Sequence, residues 1–299
     1  MSLSRVASVV RSPAGRAVPP AGGDPEPPAE LLRAADASHA NAPRRRLSAP
    51  RQSGAYLGGR AFGLGMRLVP FRHRFSLAAR LAGILAAPMR ATRVFSGLLG
   101  MRLSSERDLS LHLLLRSMTA SGTAFDVPLR MEGEEVLEAA LSSGRGTVIV
   151  AAHALLSRLL LRNLYDRGRW PTVIGGMNGI PLAGTRAVVP TVYPTRTVLL
   201  LVRTRLREGG IVCALVDHLQ GRGKNTVTFD SPVGAIHLSD SIFRLAVRCD
   251  AQVIFTFARA EPDGVRQWIA APQPGSAGSP EAIARDFIAF LQERTAYLR

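Results

Sequence analysis

Cysteine and lysine are both scarce in this chain of 299 residues. The two cysteines, Cys213 and Cys249, lie in apolar runs and lack the spacing of metal ligands. We therefore expect them to be small buried hydrophobic residues in a reducing compartment. Lys224 is the only lysine among 38 basic residues, so arginine carries nearly all of the positive charge.

Long apolar runs are also missing. No run reaches the roughly 18 residues that a membrane-spanning helix needs. The first 25 residues contain three arginines but no apolar core of a signal peptide, so we expect no secretory signal. These absences predict a cytoplasmic protein that touches a membrane, if at all, from its surface.

Several common catalytic and binding motifs are absent as well. There is no Gly-x-Ser-x-Gly elbow, no Gly-x-x-x-x-Gly-Lys-Ser/Thr loop and no Gly-x-Gly-x-x-Gly after a predicted strand. Histidine, cysteine and carboxylate residues at zinc spacing are absent too. A serine hydrolase of that type, the usual nucleotide-binding sites and a zinc centre are thus not supported, and we expect no bound cofactor or metal.

The positive charge is concentrated in the first part of the chain. Residues 1–118 contain 18 arginines and 6 acidic residues, whereas residues 119–299 contain 20 basic and 16 acidic residues. This imbalance indicates an anionic partner for the first part, either membrane lipid or nucleic acid. Nucleic acid is the less favoured partner, because the basic tail lacks interleaved aromatic residues and any zinc or helix-turn-helix pattern.

Composition divides the chain into three predicted regions. Residues 1–52 are rich in Pro, Ala, Ser, Gly and Arg, which predicts a disordered tail. Residues 53–118 contain short apolar helical segments separated by arginines, typical of amphipathic helices. Such helices either lie on an anionic membrane or pack on the core of the protein, and amphipathicity alone does not distinguish the two.

Residues 119–299 alternate between strand and helix patterns. Apolar β-branched runs predict strands, and runs with a helical period predict the helices between them. The fold class that follows is α/β, with a largely parallel central sheet, helices on both faces and the amphipathic helices before it. The predicted elements are a helix from about 106 to 117, a helix at 131–142, strands at 147–152 and 171–175, helices at 154–166 and 197–208, strands at 211–216 and 226–229, a helix at 239–248, strands at 252–257 and 266–271, and a helix at 280–297.

His153 follows the predicted strand at 147–152, and Asp217 with His218 follows the strand at 211–216. Reactive groups in open α/β sheets lie at the carboxyl ends of strands. His153 is thus a candidate general base, although a histidine at a strand end is also commonly a packing residue. If the two strands are neighbours, these residues converge on one crevice.

The candidate anion-binding residues are Arg186, Arg196, His218 and Arg222. One base with several cationic groups suits acyl transfer to a hydroxyl group. The imidazole removes the hydroxyl proton during attack on a thioester, and cationic or amide donors stabilise the oxyanion or hold a phosphate. A solvent-exposed loop explains Arg222 equally well.

Three blocks carry a resemblance to a known family: GRGTVIVAAH, REGGIVCALVDHLQGRGKNTVTF and SDSIFRLAVRCDAQVIFTFAR. In this order they resemble the lipid A biosynthesis (lauroyl/myristoyl) acyltransferases of the glycerolipid acyltransferase superfamily. The resemblance implies a peripheral enzyme on the cytoplasmic face of the bacterial inner membrane. It also implies acyl carrier protein or acyl-CoA as the thioester donor and a hydroxyl of a membrane lipid as the acceptor.

One residue departs from the family pattern. The family has an acidic residue five positions after its catalytic histidine, whereas His153 is followed there by Arg158. An arginine would disfavour the charged ring instead of stabilising it. Three alternatives follow: another acid, best Asp217, approaches His153; the imidazole works alone; or catalysis is lost and the chain is a lipid- or acyl-carrier-binding relative. Arg158 could itself hold a phosphate or carboxylate of the substrate.

Overall fold

The computed structural model describes residues 27–40, 53–92, 104–152, 154, 156–175, 179–193, 196–218, 226–229 and 235–294. The helices in these ranges are α1 (Ala29–Ala40), α2 (Ser53–Gly65), α3 (Phe71–Thr92), α4 (Glu106–Ala120), α5 (Glu134–Ser142), α6 (Leu159–Asp166), α7 (Arg196–Arg207), α8 (Ser241–Arg248) and α9 (Pro280–Arg294). The strands are β1 (Leu129–Glu132), β2 (Thr147–Ala151), β3 (Thr172–Ile174), β4 (Ile180–Pro181), β5 (Val188–Val189), β6 (Thr191–Val192), β7 (Ile211–Leu215), β8 (Asp217–His218), β9 (Thr226–Phe229), β10 (Ile236–Ser239), β11 (Gln252–Glu261) and β12 (Gly264–Ala270).

The central sheet has seven strands in the order β1-β12-β11-β2-β7-β3-β6. All of its pairs are parallel except the β11–β12 hairpin. A three-stranded sheet, β8-β10-β9, and the two-stranded pair β4-β5 accompany it. The predicted α/β class with a largely parallel sheet is therefore confirmed.

Helices cover both faces of this sheet. Alternate residues of β2 point to opposite faces, as in any strand. Val148 and Val150 share a core with α7, α8 and α9, whereas Ile149 shares a core with α5 and α6. All five residues of β2 are buried, because β2 is a central strand with a covered face on each side.

The helices α2, α3 and α4 form a third packed group. Phe75, Ala78 and Ala82 of α3 are buried in one cluster with Leu111 and Leu115 of α4. Ser105 caps α4: its side chain accepts a hydrogen bond from the Asp108 backbone N–H, and Asp108 accepts one from the Ser105 backbone N–H. The helix predicted from about residue 106 is thus confirmed, and it begins with a capping box. None of the helices in the described ranges is long and apolar enough to cross a membrane.

Part of the predicted disordered tail is helical. Helix α1 lies against β6 and α7, and its residues Leu31, Ala35 and Ser38 are buried. The Ser38 hydroxyl accepts a hydrogen bond of 3.0 Å from the backbone N–H of Tyr193, next to the edge strand β6. The prediction of disorder rested on the composition of residues 1–52 as a whole. It therefore missed this short segment, which is rich in the helix-forming residues alanine, leucine and glutamate.

Three predicted helix starts are wrong. The helix predicted at 154–166 begins only at Leu159, because residues 156–158 form a turn. The segment predicted as a helix from residue 131 begins as strand β1, because Met131 pairs with Gln267 of β12. Gly133, with φ of 84°, then begins α5; a Cβ there would lie 2.0 Å from the Ile269 carbonyl oxygen, so glycine is required. Ser239 likewise belongs to strand β10, and α8 starts after Asp240.

Candidate active site

The two strands that carry the candidate site are neighbours. Strand β2 pairs with β7 in parallel, with Ala151 opposite Leu215. The backbone N–H of Val216 continues the ladder with a 3.1 Å hydrogen bond to the Ala151 carbonyl. The condition stated above, that the two strands are neighbours, is therefore met, and the convergence of the side chains stays a prediction. His153 itself lies outside the described residues, between the buried residues Ala152 and Ala154.

The chain leaves these two strands towards opposite faces of the sheet. After β2 it enters α6, whose residues Leu160 and Leu164 pack on the face shared with α5. After β7 it passes through the small sheet and enters α8, whose residue Phe243 packs on the other face. Connections that diverge in this way leave a crevice at the carboxyl ends of the strands, where α/β proteins place their ligands.

Asp217 lies at this end of the sheet. It belongs to β8 and pairs with Leu238 of β10 in antiparallel fashion, and the Ser239 N–H donates a 2.8 Å hydrogen bond to the Val216 carbonyl. Only 7% of Asp217 is exposed. We expected Asp217 and His218 simply to end the preceding strand, but they form a strand of the small sheet, with His218 opposite His237.

Arg158 precedes α6 in the turn that follows β2. Part of the Arg158 side chain is exposed to solvent. The surrounding residues nevertheless desolvate its guanidinium group, and this desolvation, together with the nearby Arg116, lowers the pKa of Arg158. His112 is half-buried beside both arginines. Burial, Arg158 and Arg116 lower the pKa of His112 from 6.5 to about 4.

Sequence reasoning missed His112 and Arg116. The two residues are separated by one helical turn on α4, so their side chains lie on the same side of the helix. Their proximity to Arg158 depends on packing between Leu115 of α4 and Leu159 of α6. The spacing on α4 was visible in the sequence, but this tertiary contact was not.

The remaining predicted arginines lie on other elements or outside the described residues. Arg186 is exposed in the turn between β4 and β5, which the Arg162 guanidinium ties to α6 through a 3.0 Å hydrogen bond to the Ala183 carbonyl. Arg196 is the first residue of α7. Arg222 lies outside the described residues. The roles predicted for these three arginines therefore stay predictions.

A cavity of about 240 Å³ lies at the opposite end of the sheet. Its lining includes Thr147 and Ile211, the first residues of β2 and β7, together with Arg169 and Arg205. This position is the amino end of the strands, away from Asp217, so the cavity is separate from the candidate site. Within the described ranges there is no group of three or more His, Cys, Asp or Glu residues that could hold a metal ion.

No protein-family model matches this chain, and no curated protein sequence matches it significantly.

Proposed function

We propose that this chain is a membrane-associated acyltransferase that moves a fatty acyl chain from acyl carrier protein or acyl-CoA to a hydroxyl group of a lipid. The observation that supports this most directly is the register of β2 and β7. His153 is two residues beyond Ala151 in the sequence, and the buried Asp217 is two residues beyond Leu215. A buried carboxylate therefore follows the strand next to the one that precedes His153, although Arg158 occupies the position of the family's acid.

The proposed reaction uses His153 as the general base. Its imidazole accepts the proton of the acceptor hydroxyl as that oxygen attacks the thioester carbonyl, and a tetrahedral oxyanion forms. The carbon–sulfur bond then breaks, and the thiolate leaves with the proton from the imidazolium. Asp217 has the role of the carboxylate that orients the ring and stabilises its charged form. Arg186, Arg196, His218 and Arg222 remain proposed contacts for anionic parts of the substrates.

The surface of α3 supports a membrane location. Its buried face, which includes Phe75 and Ala82, packs on α4. A second apolar stripe, formed by Leu77, Leu81 and Ile84, follows the helical spacing on another side of α3. Ile84 is 68% exposed.

One arginine flanks this stripe. By the helical spacing, Arg80 is exposed beside the stripe, whereas Arg72 is exposed on another side of the same helix. An apolar stripe flanked by a cation suits a helix that lies in the headgroup layer of an anionic membrane.

A second candidate function is that of a non-catalytic relative that binds lipid or acyl carrier protein. The observation that favours it is the turn after β2, where Arg158 has a second arginine, Arg116, as its neighbour. If His153 lies within reach of these two cations, they would disfavour the protonated imidazole that general-base catalysis requires.

Transfer of a labelled acyl chain tests the first proposal. Purified protein is incubated with acyl carrier protein or coenzyme A thioesters and total membrane lipid, and label in the lipid fraction is measured. We expect transfer by the wild type. We expect transfer to fall about 10²- to 10⁴-fold in His153→Ala, because the base is lost. Asp217→Asn should lower it by about 10²-fold or more, because the ring loses its carboxylate partner.

The matched controls are His73→Ala and Asp263→Asn, which remove the same groups from exposed positions on α3 and at the β11–β12 turn. Both should retain transfer. Equal activity of His153→Ala and the wild type would refute the assignment of the base. A wild type that is folded and binds liposomes but transfers no label would favour the non-catalytic candidate.

A further inference from the structure

The cationic cluster His112, Arg116 and Arg158 has no assigned role in the proton transfers described above. Two separate segments bring it together. His112 and Arg116 project from α4, and Arg158 lies in the turn before α6. The apolar residues that alternate with these three, among them Leu115 and Leu159, are buried in one shared cluster. The cluster is therefore a consequence of packing between α4 and this turn.

No carboxylate neutralises this cluster within the described part of the chain. Neither Arg116 nor Arg158 forms an ion pair with any residue there, whereas Arg162, four residues beyond Arg158, forms one of 2.8 Å with Asp166. The Asp108 carboxylate on α4 is occupied elsewhere: it accepts hydrogen bonds of 2.7 Å from the Ser105 N–H and 2.6 Å from the Ala260 N–H.

The electrostatics agree with this geometry. Arg116 and Arg158 contribute to the low pKa of His112, and Arg116 contributes to the lowered pKa of Arg158. The three groups thus disfavour one another's positive charge. A bound anion would reverse this effect, because an opposite charge nearby stabilises the protonated forms.

A further polar group without a partner lies in the same turn. Ser157, the residue before Arg158, is 6% exposed, and its hydroxyl has no hydrogen-bond partner in the described ranges. Buried hydroxyl groups in native proteins are normally hydrogen-bonded. An oxyanion held at this turn would supply an acceptor.

We propose that Arg116 and Arg158, with His112 beside them, bind the phosphate ester of a lipid headgroup. Guanidinium groups recognise phosphate oxygens through pairs of parallel hydrogen bonds, and both arginines reach the surface, where a ligand has access. His112, neutral at pH 7, can donate one further hydrogen bond through its ring N–H. The site lies on the turn that follows β2 and on α4, which packs against α2 and α3.

This assignment rests on the proposed function in one respect only, which is that the ligand is a lipid. Binding of the phosphate ester is measured without any acyl donor, so it does not require catalysis. Loss of transfer in Asp217→Asn with unchanged lipid binding would separate the two proposals.

Isothermal titration calorimetry of the full chain tests the inference. The probes are dihexanoyl phosphatidic acid as a soluble phosphate monoester, dihexanoyl phosphatidylcholine as the same chains on a zwitterionic phosphodiester, and inorganic phosphate. We expect Arg116→Ala and Arg158→Ala each to weaken phosphatidic acid binding by about tenfold or more, because each removes a charge-assisted hydrogen-bond donor. The matched control is Arg203→Ala, an exposed arginine of α7, which should bind like the wild type.

Three results would overturn the proposal. The first is wild-type affinity for phosphatidic acid in both cluster variants. The second is an equal loss in Arg203→Ala, since that would indicate a general charge effect. The third is equal affinity for inorganic phosphate and phosphatidic acid, since the site would then recognise free phosphate.

Thermal unfolding supplies a check on folding. Removal of one cation from an unneutralised cluster should leave the melting temperature unchanged or raise it. Phosphatidic acid should stabilise the wild type and not the two variants, since a ligand stabilises the state that binds it. A wild type that phosphatidic acid does not stabilise would also count against the site.

Discussion

Several arginines in the sheet region pair with carboxylates, whereas Arg74 of α3 and Arg107 of α4 donate hydrogen bonds to backbone carbonyl groups. Arg266 of β12 pairs with Glu261 at 2.7 Å. Arg74 of α3 instead donates hydrogen bonds of 2.9, 2.7 and 3.0 Å to the carbonyl groups of Val69, Ala124 and Arg67. Residues 53–120 contain ten arginines and only two acidic residues, so this region cannot neutralise its own charge.

The two regions also differ in how completely they cover apolar residues. Both faces of the sheet are covered, and Phe255 of β11 is 1% exposed. Helix α3 leaves Ile84 largely exposed. An excess of positive charge and an exposed apolar stripe thus occur on the same helices, which agrees with the membrane contact proposed for α3.

The largest expected effect on the free energy of unfolding is at the buried Phe255, and the exposed Ile84 is compared with it. Phe255 contacts Phe287 and Phe290 at ring distances of 5.2 and 5.7 Å. Phe255→Ala should lower the free energy of unfolding by about 3–5 kcal/mol, because it leaves a cavity in the core. Ile84→Ser should change it by less than about 0.5 kcal/mol but weaken liposome binding. Urea unfolding and liposome sedimentation measure the two properties.

Leu200→Ser is the matched control for Ile84→Ser, since Leu200 is 63% exposed on α7. It should affect neither property. Equal loss of liposome binding in Leu200→Ser and Ile84→Ser would remove the distinction between α3 and the rest of the surface.

An intermediate effect concerns the dependence of stability on pH. Because the folded-state pKa of His112 is about 4 instead of 6.5, the unfolded chain binds more protons between these values. Stability should therefore fall as the pH decreases through this window, with a cost of about 3 kcal/mol from this residue. His112→Gln should reduce the loss of unfolding free energy between about pH 7 and pH 4, measured by urea unfolding.

The causes of the His112 shift provide a control for this test. Arg116→Ala removes one of the two neighbouring charges and should raise the pKa of His112, which NMR titration of the ring protons measures. The control variant is His237→Gln, which removes a histidine from the small sheet instead of from α4. A pH dependence that is the same in His112→Gln and the wild type would contradict the assignment.

The smallest effect compares two arginines directly. Arg162 forms two hydrogen bonds of 2.8 Å with Asp166 and one of 3.0 Å with the Ala183 carbonyl. Arg162→Ala should cost about 1 kcal/mol of unfolding free energy. Arg80→Ala, at an exposed position of α3, should stay within about 0.5 kcal/mol. Thermal unfolding of both variants measures the difference, and equal losses would mean that the pairing of Arg162 adds no stability.

Local signals were sufficient to predict the central elements of the fold. Strands β2 and β7 are short β-branched apolar runs, and α7 has a clear helical period, so their patterns do not depend on distant residues. Strands β1 and β10 were missed because their conformation depends on partners. Met131 extends only because Gln267 pairs with it, and Ser239 only because Thr226 does.

The candidate site was predicted to a similar extent. The place of Asp217 after a central strand followed from the sequence pattern, whereas the pairing of β2 with β7 was only a condition of the prediction. The cluster of His112 and Arg116 with Arg158 could not be predicted, because α4 and the turn after β2 meet only through tertiary packing. The spacing of charged residues in a sequence predicts which of them are neighbours on one helix, but not which residues of other elements lie beside them.

The order of strands in the sheet has a consequence for how the chain assembles. The β11–β12 hairpin inserts between β1 and β2, although both of those strands precede it in the sequence by more than a hundred residues. Contacts between residues so far apart require the closure of long loops, which slows folding. During synthesis, β2 therefore emerges long before its partners β7 and β11. The candidate site, with its buried Asp217, can form only after most of the chain has left the ribosome.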